Sequence, residues 1–265
     1  MPAPSPNVLH LTKHHGLGND FLVLLDQGGD AELAVRLCDR RFGIGADGLL
    51  LGLPGDEEHD LVMRLHNADG SVAEMSGNGI RCLAQAAVQA GWVEHGKVYI
   101  ATDAGTRVVD IHGTEDPLVD VASVAMGPAS LVELDPPWAA DLAKRSAIVD
   151  VGNPHLVLHA EPGGIDLEQL YQQVLPHFAD GVNLEVGDVT ADDTVTMRVR
   201  ERGVGETLAC GTGSCAVAQA FRAFELTEDS VWVAQPGGMA RVALRGDEAT
   251  LIGSTTFVAS LEVPA

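Results

Sequence analysis

The chain has 265 residues, enough to bury a sizeable core as one large domain or two smaller ones. Its formal net charge of −22 argues against nucleic acid or an anionic membrane as partner, and no apolar run approaches the length of a membrane span. Four cysteines in a chain this long do not resemble a disulfide scaffold, and Met1–Pro6 lacks the basic segment and apolar core of a signal peptide, so a cytoplasmic protein is expected.

The elements read as one series met twice. A short strand at Phe21–Leu25 leads to a helix predicted over Ala31–Arg41, with Asp30 as its N-cap. A glycine-bearing turn and an apolar strand at Leu49–Leu51 follow, then a strand whose Leu61, Met63 and Leu65 share one face. The loop Ser76-Gly77-Asn78-Gly79 opens a helix that is apolar almost all round, and valine-rich strands come after it. Asp135-Pro136-Pro137-Trp138 reads as a linker between the halves that opens a short helix. The series then restarts with a strand at His155–His159. A helix at Leu167–Val174 follows, with Asp166 before it and Gln169 three residues on, as in a capping box. Next come a strand at Asn183–Val186 and another carrying Val195, Met197 and Val199. The loop Cys210-Gly211-Thr212-Gly213 precedes a second apolar helix.

The repetition has a fixed offset of 134 residues. Gly18-Asn19 matches Gly152-Asn153, Leu22-Val23-Leu24 matches Leu156-Val157-Leu158, and Met63-Arg64 matches Met197-Arg198. Ala84-Gln85-Ala86 matches Ala218-Gln219-Ala220, and Arg107-Val108 matches Arg241-Val242, with no net insertion. A period near half the chain, unlike the short period of a solenoid, implies an ancient duplication. The expected fold is therefore mixed α/β (α+β), with two pseudo-symmetric lobes at 1–128 and 129–254, each with strands around one glycine-initiated helix.

Those two helices carry the chemistry. A helix apolar on every side is buried, yet its N-terminus keeps unpaired N–H groups and partial positive charge. Glycines let backbone approach a ligand closely, so such ends suit a carboxylate. A thiol there is expected to have its pKa lowered below the free value of about 8.5. One loop of this kind reads as an ordinary turn. Two copies, one headed by a hydroxyl and the other by a thiol, are what an enzyme inverting a carbon centre would need.

At these residues the chain resembles the diaminopimelate epimerase family over essentially its whole length. The resemblance rests on His15-Gly16-Leu17-Gly18-Asn19-Asp20-Phe21, on Arg41-Phe42-Gly43-Ile44-Gly45-Ala46-Asp47-Gly48 and on Asn67-Ala68-Asp69-Gly70-Ser71. It continues through Glu74–Cys82 around the first loop, Gly152-Asn153-Pro154-His155, and Glu201–Gly213 through the second. It implies lobes formed by a sheet wrapped around a central helix, an active site in the cleft between them, and a terminal strand (residues 255–265) returning to the first lobe. It also implies cofactor-independent epimerisation of LL-diaminopimelate to the meso form, on the path to lysine and peptidoglycan. One cysteine takes the α-proton and another donates from the opposite face, without pyridoxal phosphate or metal; the sequence likewise has no paired CxxC or HExxH spacing. A homodimer is the family's common state.

Carried over by position, Cys210 is the second catalytic cysteine and Ser76 stands where the first belongs. The N–H groups of Gly77, Asn78, Gly211 and Thr212 would hold the reacting carboxylate. Arg202 would clamp the distal carboxylate with paired bonds, with Asn19, Asn67, Asn153 and Asn183 completing a polar ring. Glu201 would take an ammonium and support a catalytic proton, and His155 sits where the family places a residue beside the cysteines. Gly48 stands where some members have a polar side chain. Read without the resemblance, Asn19 and Asn153 could be turn formers and Glu201-Arg202 a surface ion pair, while Cys38, Cys82 and Cys215 read as core thiols.

Ser76 leaves three readings open, because an alkoxide does not form near neutral pH without a dedicated base. The protein is an epimerase with reduced or one-sided proton exchange, a racemase of another amino acid whose serine works, or a dehydratase or substrate-binding variant. An intact ring for a substrate with a distal carboxylate favours the first.

Overall fold

The computed structural model describes residues 8–264; Met1–Pro6, read above for a leader, lies outside the described residues. The chain forms two compact units, one ending at Ala122 and resuming at Ser254, the other running Ser123–Gly253.

In the first unit, β1 (Val8–Gly16), β2 (Asn19–Leu25), β3 (Gly48–Pro54), β4 (Leu61–Asn67), β5 (Gly96–Thr102), β6 (Gly105–Gly113) and the start of β7 (Val119–Pro128) neighbour one another in chain order. They wrap around α2 (Gly77–Gln89), which touches β1, β2, β3, β4 and β6 and is buried from Gly77 to Ala87. Alternation divides the strands between two cores. Leu22, Leu24, Leu49 and Leu51 pack outward with Leu37 and Cys38 of α1 (Ala31–Cys38), while Phe21 on the other face reaches the α2 side at Gly79.

The second unit repeats the plan. It contains β8 (Ser130–Leu134), β9 (Ser146–Asp150), β10 (Pro154–His159), β11 (Asn183–Ala191), β12 (Thr194–Glu201), β13 (Gly205–Thr207), β14 (Ser230–Gln235), β15 (Gly238–Arg245) and the start of β16 (Glu248–Pro264). α4 (Gly211–Ala223) packs on β8, β9, β10, β11, β14 and β15. α3 (Leu167–Val174) covers the outer face with Leu156, Leu158, Leu184 and Val186. The end of β16 belongs to the first unit, where it pairs antiparallel with β1 from Val8↔Pro264 to His15↔Thr256.

Parallel pairs recur at matching places, β2–β3 with β10–β11 and β4–β5 with β12–β14. Their register refines the offset. Phe21 lies opposite Gly48 and His155 opposite Asn183, so β3 corresponds to β11 at 135 residues rather than 134. A one-residue difference before β11 is thus cancelled before β12.

Other expectations need adjustment. The first helix ends at Cys38, not Arg41, because the Asp39 carboxylate accepts the Arg41 and Phe42 N–H groups at 2.7 and 2.6 Å and turns the chain. Both N-caps form, with Asp30 accepting from Leu33 N–H and Asp166 from Gln169 N–H. Asp135–Trp138 lies inside the second unit after β8, and opens a single 3-10 turn at Pro137–Ala139. Strands β1, β8 and β9 have no counterpart in the sequence reading.

Two stability tests follow from this packing. A methyl group on Gly43 would fall 2.4 and 2.7 Å from the Arg36 and Leu37 carbonyl oxygens. Gly43→Ala should therefore lower unfolding free energy by about 1–3 kcal/mol in urea melts. His14 is fully buried between Gln85 Oε1 (2.8 Å) and Thr12 Oγ1 (2.9 Å), and burial lowers its pKa from 6.5 to about 4. The unfolded chain thus binds the extra proton first, so this contribution is complete above pH 6.5 and is lost as pH falls through that value towards 4. The loss approaches about 3 kcal/mol, and His14→Asn should flatten that part of the stability–pH curve.

Candidate active site

The two helix N-termini are built alike. Ser76 caps α2 with extended backbone (φ −140°, ψ 121°), and its Oγ accepts the Gly79 N–H at 3.0 Å. Cys210 caps α4 with φ −127° and ψ 121°, and its Sγ accepts the Gly213 N–H at 3.3 Å. Helix geometry gives the N–H groups of Gly77, Asn78, Gly211 and Thr212 no carbonyl partner within their own helices. Each loop therefore places one hydroxyl or thiol beside open donors in a field that favours negative charge.

Around Ser76 the first unit gathers asparagines, tied on one side to the buried Arg81 and on the other to Asp47. Asn78 donates to Asn19 Oδ1 at 3.2 Å and accepts from the buried Arg81 at 2.6 Å, while Asn19 donates to Asp47 at 2.7 Å. Asn67 closes a separate turn by donating to Ser71 Oγ at 2.9 Å. Gly18, before Asn19, has φ 81°, and Gly152, before Asn153, has φ 82°, so both asparagines follow the same left-handed turn. Gly48 is glycine for want of room: a Cβ there would lie 2.8 Å from the His66 carbonyl oxygen.

The second unit surrounds Cys210 with ionisable groups. His155 is fully buried, with Nδ1 2.7 Å from Glu185 Oε1 and Nε2 3.0 Å from Asn153 Oδ1. Asn183 donates to the Pro154 carbonyl and accepts the Arg202 N–H, both at 3.0 Å. The exposed Arg202 guanidinium donates to the Asp180 carbonyl, and Glu201 accepts from Thr207 Oγ1 at 2.5 Å, so neither is engaged in the surface ion pair considered above. Thr212 Oγ1 lies 3.4 Å from Cys210 Sγ. The Cys210 N–H donates to Gln235 Oε1 at 2.8 Å, and Gln235 in turn donates to Ser214.

Sequence reasoning missed Glu185, Thr207, Ser214 and Gln235. Glu185 alone left a signal, a lone acid inside the apolar strand Asn183–Val186. No group of three or more His, Cys, Asp or Glu side chains among the described residues is placed to hold a metal ion.

The expectation of an acidified thiol is corrected. Cys210 is only 5% exposed, and burial together with the nearby Glu201 and Glu185 charges raises its pKa well above the usual thiol value. These effects outweigh the bonds from Thr212 and the Gly213 N–H. Burial likewise raises the Glu201 carboxyl, against its bonds to Thr207 and Cys210.

A sequence model of the family described as "Diaminopimelate epimerase" matches residues 11–132 and 147–258. The diaminopimelate epimerase of Synechococcus elongatus is 38% identical over 262 residues, covering 90% of this chain and 92% of that one. Its namesake from Synechococcus sp. (strain JA-2-3B'a(2-13)) is 40% identical over 266 residues, covering 91% and 92%. Among solved structures, a hydroxyproline epimerase from Agrobacterium vitis superposes with a TM-score of 0.71 at 19% identity, over 97% of this chain and 92% of that one. A Bacillus anthracis protein of the phenazine biosynthesis PhzF family gives 0.73 at 15% identity, over 97% and 99%; at such identities the likeness concerns the fold.

Cys210 in the ligand-free protein should thus remain a thiol through neutral pH. The difference in thiolate ultraviolet absorbance between the protein and its Cys210→Ser variant is expected to rise only at strongly alkaline pH.

Proposed function

The chain belongs to the diaminopimelate epimerase family, and from that premise we propose that it interconverts LL- and meso-diaminopimelate by proton transfer at the α-carbon, with Ser76 and Cys210 acting on opposite faces. The observation that carries this reading is the pair of loop heads. Both are N-caps in the same extended conformation, and both present a hydroxyl or thiol beside open N–H groups. Inversion needs an acceptor on one face of a carbon and a donor on the other, and duplication supplies two such devices.

The α-carboxylate would sit on the N–H groups of Gly77 and Asn78 and of Gly211 and Thr212. Negative charge spreading into it during carbanion formation is stabilised there. Arg202 would take the distal carboxylate, with Asn19, Asn67, Asn153 and Asn183 bonding the remaining polar atoms. Glu201 would meet an ammonium group. Cys210, protonated at rest, is suited to deliver the proton. In the reverse direction it must first lose one, and Glu201, which already bonds to it, is the acceptor at hand. His155 would hold the Asn153 amide in place.

When Cys210 is the donor, Ser76 must take the α-proton as an alkoxide after passing its own proton to solvent, and this step limits the rate, since a hydroxyl is a far weaker acid than a thiol even at a helix N-terminus. The same reading has the enzyme working in the cytoplasm as a homodimer, which sedimentation would check. Incubation with LL-diaminopimelate in deuterium oxide tests the function directly. The native chain should label Cα and invert it, and Ser76→Cys should raise kcat by about tenfold or more. Cys210→Ala should reduce kcat by about a thousandfold. Labelling without inversion would make this a one-base enzyme working through Cys210, and exchange by neither native chain nor Ser76→Cys would exclude the substrate.

A further inference from the structure

Glu185 is an anomaly of the fold. Its side chain is fully buried on β11, with one oxygen on His155 and Oε2 without a hydrogen-bond partner among the described residues. A buried, half-satisfied carboxylate costs stability. The strand does not require it, because the equivalent register in the first unit carries Leu50.

Its position is more telling. A Cβ on Gly213 would lie 2.7 Å from Glu185 Oε1 and 3.3 Å from Cys210 Sγ, so carboxylate and sulfur share the space that this glycine leaves open. At the matching place, a Cβ on Gly79 would meet Ser76 and the apolar ring of Phe21. Beside this glycine the first loop head thus has an apolar ring where the second has a carboxylate.

We propose that Glu185 is a positioning residue for proton transfer at Cys210: its carboxylate, anchored on His155, disfavours a second negative charge on the sulfur and so keeps Cys210 protonated at rest, the state from which it can donate. The other titratable groups around the thiol are Glu201 on β12 and His155 on β10. α4 presents the Gly213 N–H and Thr212 hydroxyl, and β14 presents the neutral Gln235. Glu201 is tied to Thr207, whereas Glu185 is enclosed and has no hydroxyl to share its charge. The donor role rests on the epimerase reading; the charge effect does not.

The test is the thiolate absorbance titration of the intact, ligand-free protein against Cys210→Ser, repeated with Glu185→Gln and Glu185→Leu. Glutamine keeps the size and hydrogen-bonding reach of the side chain but removes its charge, and leucine is what the first unit itself places there. Both should bring the thiolate in at lower pH, giving about tenfold more thiolate at a fixed pH on the early rise of the native titration. An unmoved titration in the glutamine variant overturns the proposal, even if leucine shifts it, since packing alone would then be responsible. Should the leucine variant fail to fold, the glutamine variant decides alone. Because no substrate is present, failure here is distinguishable from failure of the diaminopimelate assay.

Discussion

A helix enclosed by strands along its length has first-turn N–H groups that its own backbone cannot satisfy, and α2 and α4 both face this constraint. An oxygen or sulfur from the residue before the helix meets one of them. The residues just inside must stay small, because a side chain at Gly79 or Gly213 would crowd the capping atom. What remains is a cap atom, a set of unused donors and a partial positive charge. The loop heads are consequences of burying the helices, and the chemistry uses what that burial leaves over.

Duplication supplies the device twice, but the surroundings have diverged. Phe21 corresponds to His155 and Leu50 to Glu185 through strand register, and Asn67 to Glu201 as the last residues of β4 and β12. At all three places the first unit is neutral and the second ionisable. The backbone symmetry therefore persists around two different electrostatic environments. Burial first, and repulsion by Glu201 and Glu185 after it, hold the proton on Cys210 against the bonds from Thr212 and the Gly213 N–H.

Much of this was legible in the residues. The 134-residue offset gave the duplication, alternating apolar positions gave the inner strands, and Asp30 and Asp166 announced their helices. What escaped has physical reasons. The Ala31 helix seemed to continue because its apolar spacing does; a side-chain bond from Asp39 stops it. The thiol's acidity was misjudged because the helix end is local in sequence, whereas Glu185 and Glu201 arrive from other strands. Gln235 caps the Cys210 N–H from 25 positions away, and no short-range pattern announces it.

β16 carries a consequence for biogenesis. The edge of β1 is completed by residues up to Pro264, which follow the whole of the second unit in the chain. During synthesis the first unit must wait with an open strand edge while the whole of the second emerges and folds. Such an edge invites mispairing with neighbouring chains. The heavily acidic composition favours keeping such unfinished molecules apart by mutual repulsion until β16 arrives.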